Sequence, residues 1–131
     1  MSLASTAFAD LGIAAFRIIL GGVIVAHAIP KLENPESTQK FFENVGLHGS
    51  TWFLYLALGV EVIAGTLLAI GLYTQISAFV LTLYMGVATY VAIEKMDKDF
   101  EGGYEIDILI LGATFMFYLM GGGKYALDAV L

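Results

Sequence analysis

The sequence predicts an all-α membrane protein: a bundle of four transmembrane helices with a short interfacial helix between the first and the second. Of its 131 residues, 59% are hydrophobic and only 14% are charged, and the mean hydropathy is +0.83. An average soluble domain is about 45–50% apolar and about 25% charged, and a small one needs polar residues to cover its surface. This composition excludes disordered, collagen-like and nucleic-acid-binding chains, and the length fits a single domain over residues 1–131.

The few charged residues leave long uncharged intervals, and a transmembrane helix needs about 20 mostly apolar residues. The interval between Glu61 and Glu94 is too long for one span, and the run from Gly71 to Gln75 divides it into two. The predicted spans are residues 10–29, 52–72, 75–93 and 104–120. Four spans place both termini on the same side of the membrane.

The connections between the spans differ in length and charge. Two long connections, residues 30–51 and 94–103, lie on one side, which we call the loop side. The other side, the turn side, holds the short turn at 71–75 and both tails. Most of the lysines outside the spans belong to the loop side, so the positive-inside rule predicts that this side faces the cytoplasm of a cell-membrane protein. No basic residue precedes the first apolar stretch, so we expect no cleaved signal peptide.

The first long connection contains a helix start. Asn34 suits the N-cap, Pro35 the first helical position and Glu36 the first turn, and Gly46 can end the helix. The apolar side chains on one face are Phe41, Phe42 and Val45. This pattern predicts a short interfacial helix, with a surface loop as the alternative.

Ionisable residues in or beside the spans are the candidate functional residues. Each costs several kcal/mol in hydrocarbon, about 2.5–3.5 kcal/mol even on an insertion scale, and such groups usually find partners inside the bundle. Arg17 and His27 lie in the first span and Glu61 in the second. The residues at the loop-side boundary are Lys31, Glu105 and Asp107.

The spacing leaves the partner of Glu61 open. At about 1.5 Å per residue, Glu61 lies about 14 Å from the loop side, between the depths of Arg17 and His27. Charge favours Arg17, because a bidentate Arg–carboxylate pair offsets the desolvation of both groups. Glu105 returns to the loop side, where we expect it to meet His27 and Lys31.

These residues also have a purely structural interpretation. Arg17 and Glu61 can fix the helix register, His27 can be a hydrogen-bonded interior residue, and Lys31 can extend its ammonium to the boundary. However, three spans that contribute ionisable groups to one small bundle favour a polar pocket for a quinone head group, a proton path or an anion. Gly22 and Ala26 have the spacing typical of close helix packing.

Metal, haem and nucleic-acid sites are not predicted. The chain has no cysteine and two histidines, His27 and His48, at unmatched positions, and it contains no Glu-x-x-His motif. Its net charge of −6 offers no basic patch for nucleic acid.

Four pieces of the sequence, in order, resemble the DoxX family between residues 13 and 128. The first is the run from Arg17 to Leu32, which resembles the family's Arg, apolar glycine-containing stretch and His-x-x-x-Lys-Leu. The other pieces are Phe41-Phe42 to Gly46-Leu47, then Glu61 with Gly65 and the turn 71–75, and finally Gly103-Tyr104-Glu105 with the closing segment 121–128. The chain departs from the family pattern at Ala28 and Ala126, where Gly and Ser are usual.

The resemblance implies a four-helix, redox-associated membrane protein, since the family is named for its similarity to a subunit of thiosulfate:quinone oxidoreductase. We therefore predict an integral membrane component of a quinone-linked oxidoreductase system, with quinone as its ligand and no metal. Glu61 and His27 are the predicted catalytic residues. The predicted binding residues for a quinone or a small anionic sulfur substrate are Arg17, Lys31 and Glu105. Without cysteine, sulfur chemistry requires a partner subunit or a bound substrate.

Two other functions remain open. The chain can be a non-catalytic structural or assembly subunit of a larger membrane complex, in which the polar cluster is structural. A small proton-coupled carrier is the least favoured, because four spans without an inverted repeat make a thin transport path. The predicted partners are the lipid bilayer and a partner subunit or a second copy of the chain.

Overall fold

The computed structural model describes residues 3–131, and seven α-helices with short connections make up most of this part of the chain. A π-helical turn, Val60–Ala64, joins α4 to α5 in one continuous span, and a 3-10 turn, Leu127–Ala129, lies near the C-terminus. The described residues contain no β-strand. The helices are α1 (Leu3–Ala26), α2 (Ile29–Glu33), α3 (Pro35–Asn44), α4 (Ser50–Gly59), α5 (Gly65–Ile70), α6 (Thr74–Glu94) and α7 (Glu105–Met120).

Four helical segments are long and apolar enough to cross a membrane, as predicted from the sequence. They are Ser5–Glu33, Thr51–Ile70, Thr74–Glu94 and Phe100–Met120. The first helix begins at Leu3 rather than at residue 10, because the run before Asp10 is rich in alanine and one carboxylate does not end a helix. The prediction of an all-α, four-helix membrane protein is confirmed.

The bundle is packed in a row. Helix α1 packs against α5, the span formed by α4 and α5 packs against α6, and α6 packs along α7. Helices α1 and α7 meet at few points, one of which is Phe16 with Phe117, whose ring centroids are 5.9 Å apart. The buried core is formed by Leu20, Ile24, Ala64, Leu68, Ala78, Leu81, Met85, Ile110 and Phe117. Large side chains such as Leu109, 70% exposed, face outward, as lipid-facing residues do.

Close contact between α1 and α5 depends on glycine. A Cβ atom on Gly21 would lie 2.6 Å from the carbonyl oxygen of Gly65 and 2.7 Å from the Cβ of Ala69. A Cβ on Gly22 would meet nothing within 4 Å. The packing contact therefore uses Gly21 and not the Gly22-x-x-x-Ala26 pair favoured by the spacing, because the next residue on a helix is turned by about 100°.

The helix predicted between the first and second spans is present as α3, and the alternative of a surface loop is wrong. The Asn34 side chain accepts a hydrogen bond from the backbone N–H of Ser37 at 3.2 Å, and Pro35 occupies the first turn. Phe41 and Phe42 are half-buried, and α3 packs against α4. Just beyond its end, Gly46 adopts a φ of +86°, a conformation that favours glycine.

The C-terminal segment after α7 folds onto the turn between α5 and α6. The Asp128 carboxylate accepts the backbone N–H groups of Tyr73 at 2.7 Å and Thr74 at 2.8 Å. The N–H of Asp128 in turn donates to the carbonyl of Gly71 at 2.8 Å. Desolvation raises the pKa of Asp128, but the hydrogen bonds from Thr74 and Tyr73 and the charge of Arg17 outweigh it, so the pKa lies below its usual value.

Candidate functional site

Three spans meet at the Glu61 carboxylate, which is 3% exposed and lies at the middle of the second span. The ammonium of Lys31 lies 2.9 Å from both Oε1 and Oε2 of Glu61. The phenolic hydroxyl of Tyr84, from the middle of α6, donates to Oε1 at 2.6 Å. These three residues form the candidate site, which we call the Glu61 cluster.

Lys31 reaches Glu61 because the first span is interrupted. Helix α1 ends at Ala26, residues 27 and 28 form a turn, and Pro30 lies in the first turn of α2. Proline has no N–H to continue the helical ladder, so the helix breaks before it. The Lys31 ammonium also donates to the carbonyl of His27 at 3.0 Å, one of the oxygens at the end of α1.

The π-helical turn presents Glu61. Within Val60–Ala64, the side chains of Glu61 and Ala64 are buried. A π-helical turn inserts one extra residue into a helix, which changes the rotation of the residues around it, and such turns frequently occur at functional sites. The turn thus aims a carboxylate into the bundle at a depth where water cannot solvate it.

The charges of the Glu61 cluster balance, but the carboxylate does not yet accept as many hydrogen bonds as it can. Lys31 neutralises Glu61, as a charge pair in a low-dielectric interior requires. A carboxylate has about four acceptor positions, and Lys31 and Tyr84 supply three hydrogen bonds between them. Glu61 can therefore accept one further hydrogen bond, at Oε2, which Tyr84 does not contact.

Arg17 lies in a different part of the bundle, and the expectation that it pairs with Glu61 is wrong. Its guanidinium is 2% exposed and donates to the carbonyls of Ala69 at 2.7 Å, Leu68 at 3.2 Å and Tyr125 at 3.2 Å. Leu68 follows Glu61 by seven residues, about 10 Å along a helix. The last carbonyls of α5, which have no i+4 partner within the helix, and the negative end of the helix dipole attract the cation there.

The loop-side residues do not assemble as expected. The side chain of His27 is exposed, and only its carbonyl reaches Lys31. Glu105 accepts the backbone N–H of Gly102 at 2.8 Å, so the predicted meeting with His27 and Lys31 does not form. The reason is local: Gly102, with a φ of +68°, turns the chain back onto the first turn of α7. Asp107 is half-buried on the same turn.

Tyr84 is the residue that sequence reasoning missed. The tyrosines near span ends fit an interfacial belt, but Tyr84 lies mid-way along Thr74–Glu94. A phenolic hydroxyl in hydrocarbon needs a hydrogen-bond partner. Its depth in the span was therefore a signal for an interior polar cluster.

A groove of about 360 Å³ lies next to the cluster, between the second span and α6. Gly59 and Val60 line it from the second span, and Val80 lines it from α6. Val60 directly precedes Glu61, and Val80 lies one turn before Tyr84. The groove and the Glu61–Tyr84 contact therefore lie between the same two spans, and the side chains of the cluster do not themselves line the groove.

The fold and the cluster together define a multi-pass α-helical membrane protein with a buried carboxylate at the centre of the bundle. Within residues 3–131, no group of three or more histidine, aspartate and glutamate side chains is arranged to hold a metal ion. The chain belongs to the DoxX family, whose model matches residues 12–94.

Two curated proteins are similar to the chain over most of its length. The "Putative oxidoreductase CatD" of Bacillus subtilis (strain 168) is 31% identical over 121 residues, which cover 91% of this chain and 86% of that protein. The "Uncharacterized membrane protein Rv3486" of Mycobacterium tuberculosis (strain ATCC 25618 / H37Rv) is 28% identical over 127 residues, which cover 86% of this chain and 76% of that protein. No solved structure matches the chain significantly.

Proposed function

We propose that this protein is a quinone-binding component of a membrane oxidoreductase system, and that the Glu61 cluster binds the quinone ring. One observation carries the proposal: a carboxylate buried at the middle of a span is in contact with both a lysine and a tyrosine. Intramembrane ionisable groups of this kind typically mark ligand or proton pathways. The similarity to a protein named a putative oxidoreductase supports the same class of function.

The chemistry of the cluster fits both forms of a quinone. The oxidised ring carries two carbonyl oxygens, one of which can replace the His27 carbonyl as the acceptor of the third N–H of Lys31. The reduced ring carries hydroxyl groups, and the remaining acceptor position of Glu61 suits one of them. A small sulfur anion fits less well, because Glu61 already neutralises Lys31.

A bound quinone would supply two-electron, two-proton redox chemistry. When a bound quinol is oxidised, Glu61 would accept its two protons in turn at Oε2 and release each toward the loop side, while Lys31 stabilises the carboxylate before each transfer and Tyr84 orients it. Lys31, whose side chain is 19% exposed, would link the buried carboxylate to the loop side, where we place His27 and Glu105 as proton-exchanging groups. Electrons would pass to or from a redox partner, since this chain has no thiol. Arg17 would stabilise the turn side of the bundle through its hydrogen bonds to backbone carbonyls, and it would not contact the quinone ring.

The test is quinone binding by the purified protein in lipid nanodiscs, measured by titration with ubiquinone-1. Glu61→Gln removes the charge that holds the Lys31 ammonium in place, and Tyr84→Phe removes the hydrogen bond that orients Glu61. Each should raise the Kd about tenfold, a change of about 1.4 kcal/mol. The matched controls are Glu94→Gln and Tyr90→Phe on the exposed surface of α6, which should bind as the wild type does. Equal affinity in all four folded variants, or no binding by the wild type, would overturn the proposal.

A second candidate is a non-catalytic subunit of a larger membrane complex. The observation that favours it is that Arg17 and Lys31 both have protein partners, including backbone carbonyls, as structural residues do. Purification from native membranes distinguishes the two. A chain that always co-purifies with a catalytic partner and binds no quinone alone supports this candidate.

A further inference from the structure

We propose that the groove between the second span and α6 binds the isoprenoid tail of the quinone whose ring lies at the Glu61 cluster. This inference rests on the proposed function and names a second subsite for the same ligand. It assigns a role to a surface that ring binding alone does not use.

The groove has the shape and chemistry of an apolar-chain site. Its volume of about 360 Å³ falls within the range of small-molecule sites, about 300–1,000 Å³. Small residues form its floor: Ala64 is 7% exposed, Ser77 is 3% exposed, and a Cβ on Gly59 would meet nothing within 4 Å. The missing side chain at Gly59 leaves the space that a branched hydrocarbon chain can fill.

The position of the groove favours a quinone tail over a phospholipid chain. Ala64 and Glu61 belong to the same π-helical turn, so the groove wall and the buried carboxylate are parts of one element. A quinone has an uncharged polar ring joined to an apolar chain, and this ring can enter the bundle at mid-membrane. A phospholipid keeps its charged head group at the membrane surface, so its chain would fill the groove without any group to contact Glu61.

The groove also runs along much of the second span. Its lining extends from Tyr55 to Leu67, twelve residues apart, or about 18 Å along a helix. An extended chain would therefore lie along the span, open to lipid on one side, with the ring at the level of Glu61.

The experiment fills the groove and leaves the Glu61 cluster intact. Gly59→Phe places a ring in the groove, and Gly86→Phe on α6 is the matched control. Both glycines are half-buried, and an added Cβ atom at either one would meet nothing within 4 Å. Binding is compared in nanodiscs for the tail-less ubiquinone-0 and for ubiquinone-4. A variant and the wild type are measured in the same lipid, so the quinone partitions into the bilayer equally in both. The ratio of variant to wild-type Kd therefore measures the change in binding at the site.

We expect Gly59→Phe to raise the Kd of ubiquinone-4 at least tenfold and to leave that of ubiquinone-0 unchanged, while Gly86→Phe changes neither. Glu61→Gln should weaken both ligands. An unchanged Kd of ubiquinone-4 in Gly59→Phe, with the Glu61→Gln effect intact, overturns the tail site but not the proposed function. Loss of the Glu61→Gln effect overturns both.

Native mass spectrometry of the purified protein separates the two sources of an apolar chain. Quinone retained by the wild type and Gly86→Phe, but lost from Gly59→Phe, supports the proposal. The opposite result is a phospholipid that is retained by the wild type and Gly86→Phe but lost from Gly59→Phe, with no quinone in any of the three proteins. This result would assign the groove to a lipid and overturn the proposal.

Discussion

Lys31 and Glu61 stabilise each other in a medium that solvates neither residue alone. Their ammonium and carboxylate groups lie 2.9 Å apart, and Tyr84 adds a hydrogen bond from a third span. Removing one member of a buried ion pair leaves an uncompensated charge, which costs about 3–5 kcal/mol, whereas replacing both by apolar groups is often neutral. The pair therefore couples strongly in any mutational test.

We predict that Lys31→Met lowers the free energy of unfolding by about 3–5 kcal/mol. The double variant with Lys31→Met and Glu61→Leu should recover most of this loss, because no unpaired charge remains at this position. Unfolding of the protein in nanodiscs by heat or denaturant measures both values. Lys40→Met, at an exposed position of α3, is the control and should change little. Additive losses in the double variant would contradict the pairing.

At the scale of the elements, the contact between α1 and α5 is set by one glycine. We predict that Gly21→Leu destabilises the bundle by about 1–3 kcal/mol or more, because its Cβ overlaps the backbone of Gly65. Gly22→Leu, one residue away and facing open space, should be nearly neutral. Thermal unfolding measures the stability of the two variants. An equal loss of stability in both would contradict the observed packing of Gly21 of α1 against α5.

The C-terminal segment is a second element whose attachment can be tested. Because the pKa of Asp128 is lowered in the folded protein, its stabilising effect is present above the unfolded pKa. The effect is lost as the pH falls through the folded pKa. Asp128→Asn should therefore loosen the segment at pH 7, and the difference from the wild type should vanish in acid below both pKa values.

Hydrogen exchange at the backbone amides of Tyr73 and Thr74 measures this attachment directly, since both donate to Asp128. Faster exchange in Asp128→Asn at pH 7 is the expected result. The matched control is Asp107→Asn in α7, far along the chain from the turn. Equal protection in wild type and Asp128→Asn at pH 7 would show that the carboxylate does not hold the segment.

For the whole molecule, the lysines of the two long connections predict that the loop side faces the cytoplasm. The chain has no cysteine, so single cysteines report topology without background. We expect Ala129→Cys, beyond the last span, to react with a membrane-impermeant maleimide in intact cells. Asp99→Cys, on the loop side, should react only after the membrane is opened. The reverse pattern would invert the orientation.

Several features of the fold were readable from the sequence because they are local. The uncharged intervals set the four spans, and Asn34 with Pro35 marked the start of α3. The candidate residues could also be predicted, because an ionisable group in an apolar span has a high free-energy cost and is therefore rare without a role. Lys31 and Glu61, two of the predicted site residues, do lie together.

What the sequence by itself determined was therefore the class of the protein, its number of spans and the set of costly residues, because these depend on composition and spacing along one chain. Only the tertiary structure decided which of these residues meet. Arg17 binds carbonyls at the end of α5, Lys31 takes the place at Glu61, and Tyr84 joins them. Helix rotation, the π-helical turn and the break before Pro30 set these contacts, and each depends on packing between spans.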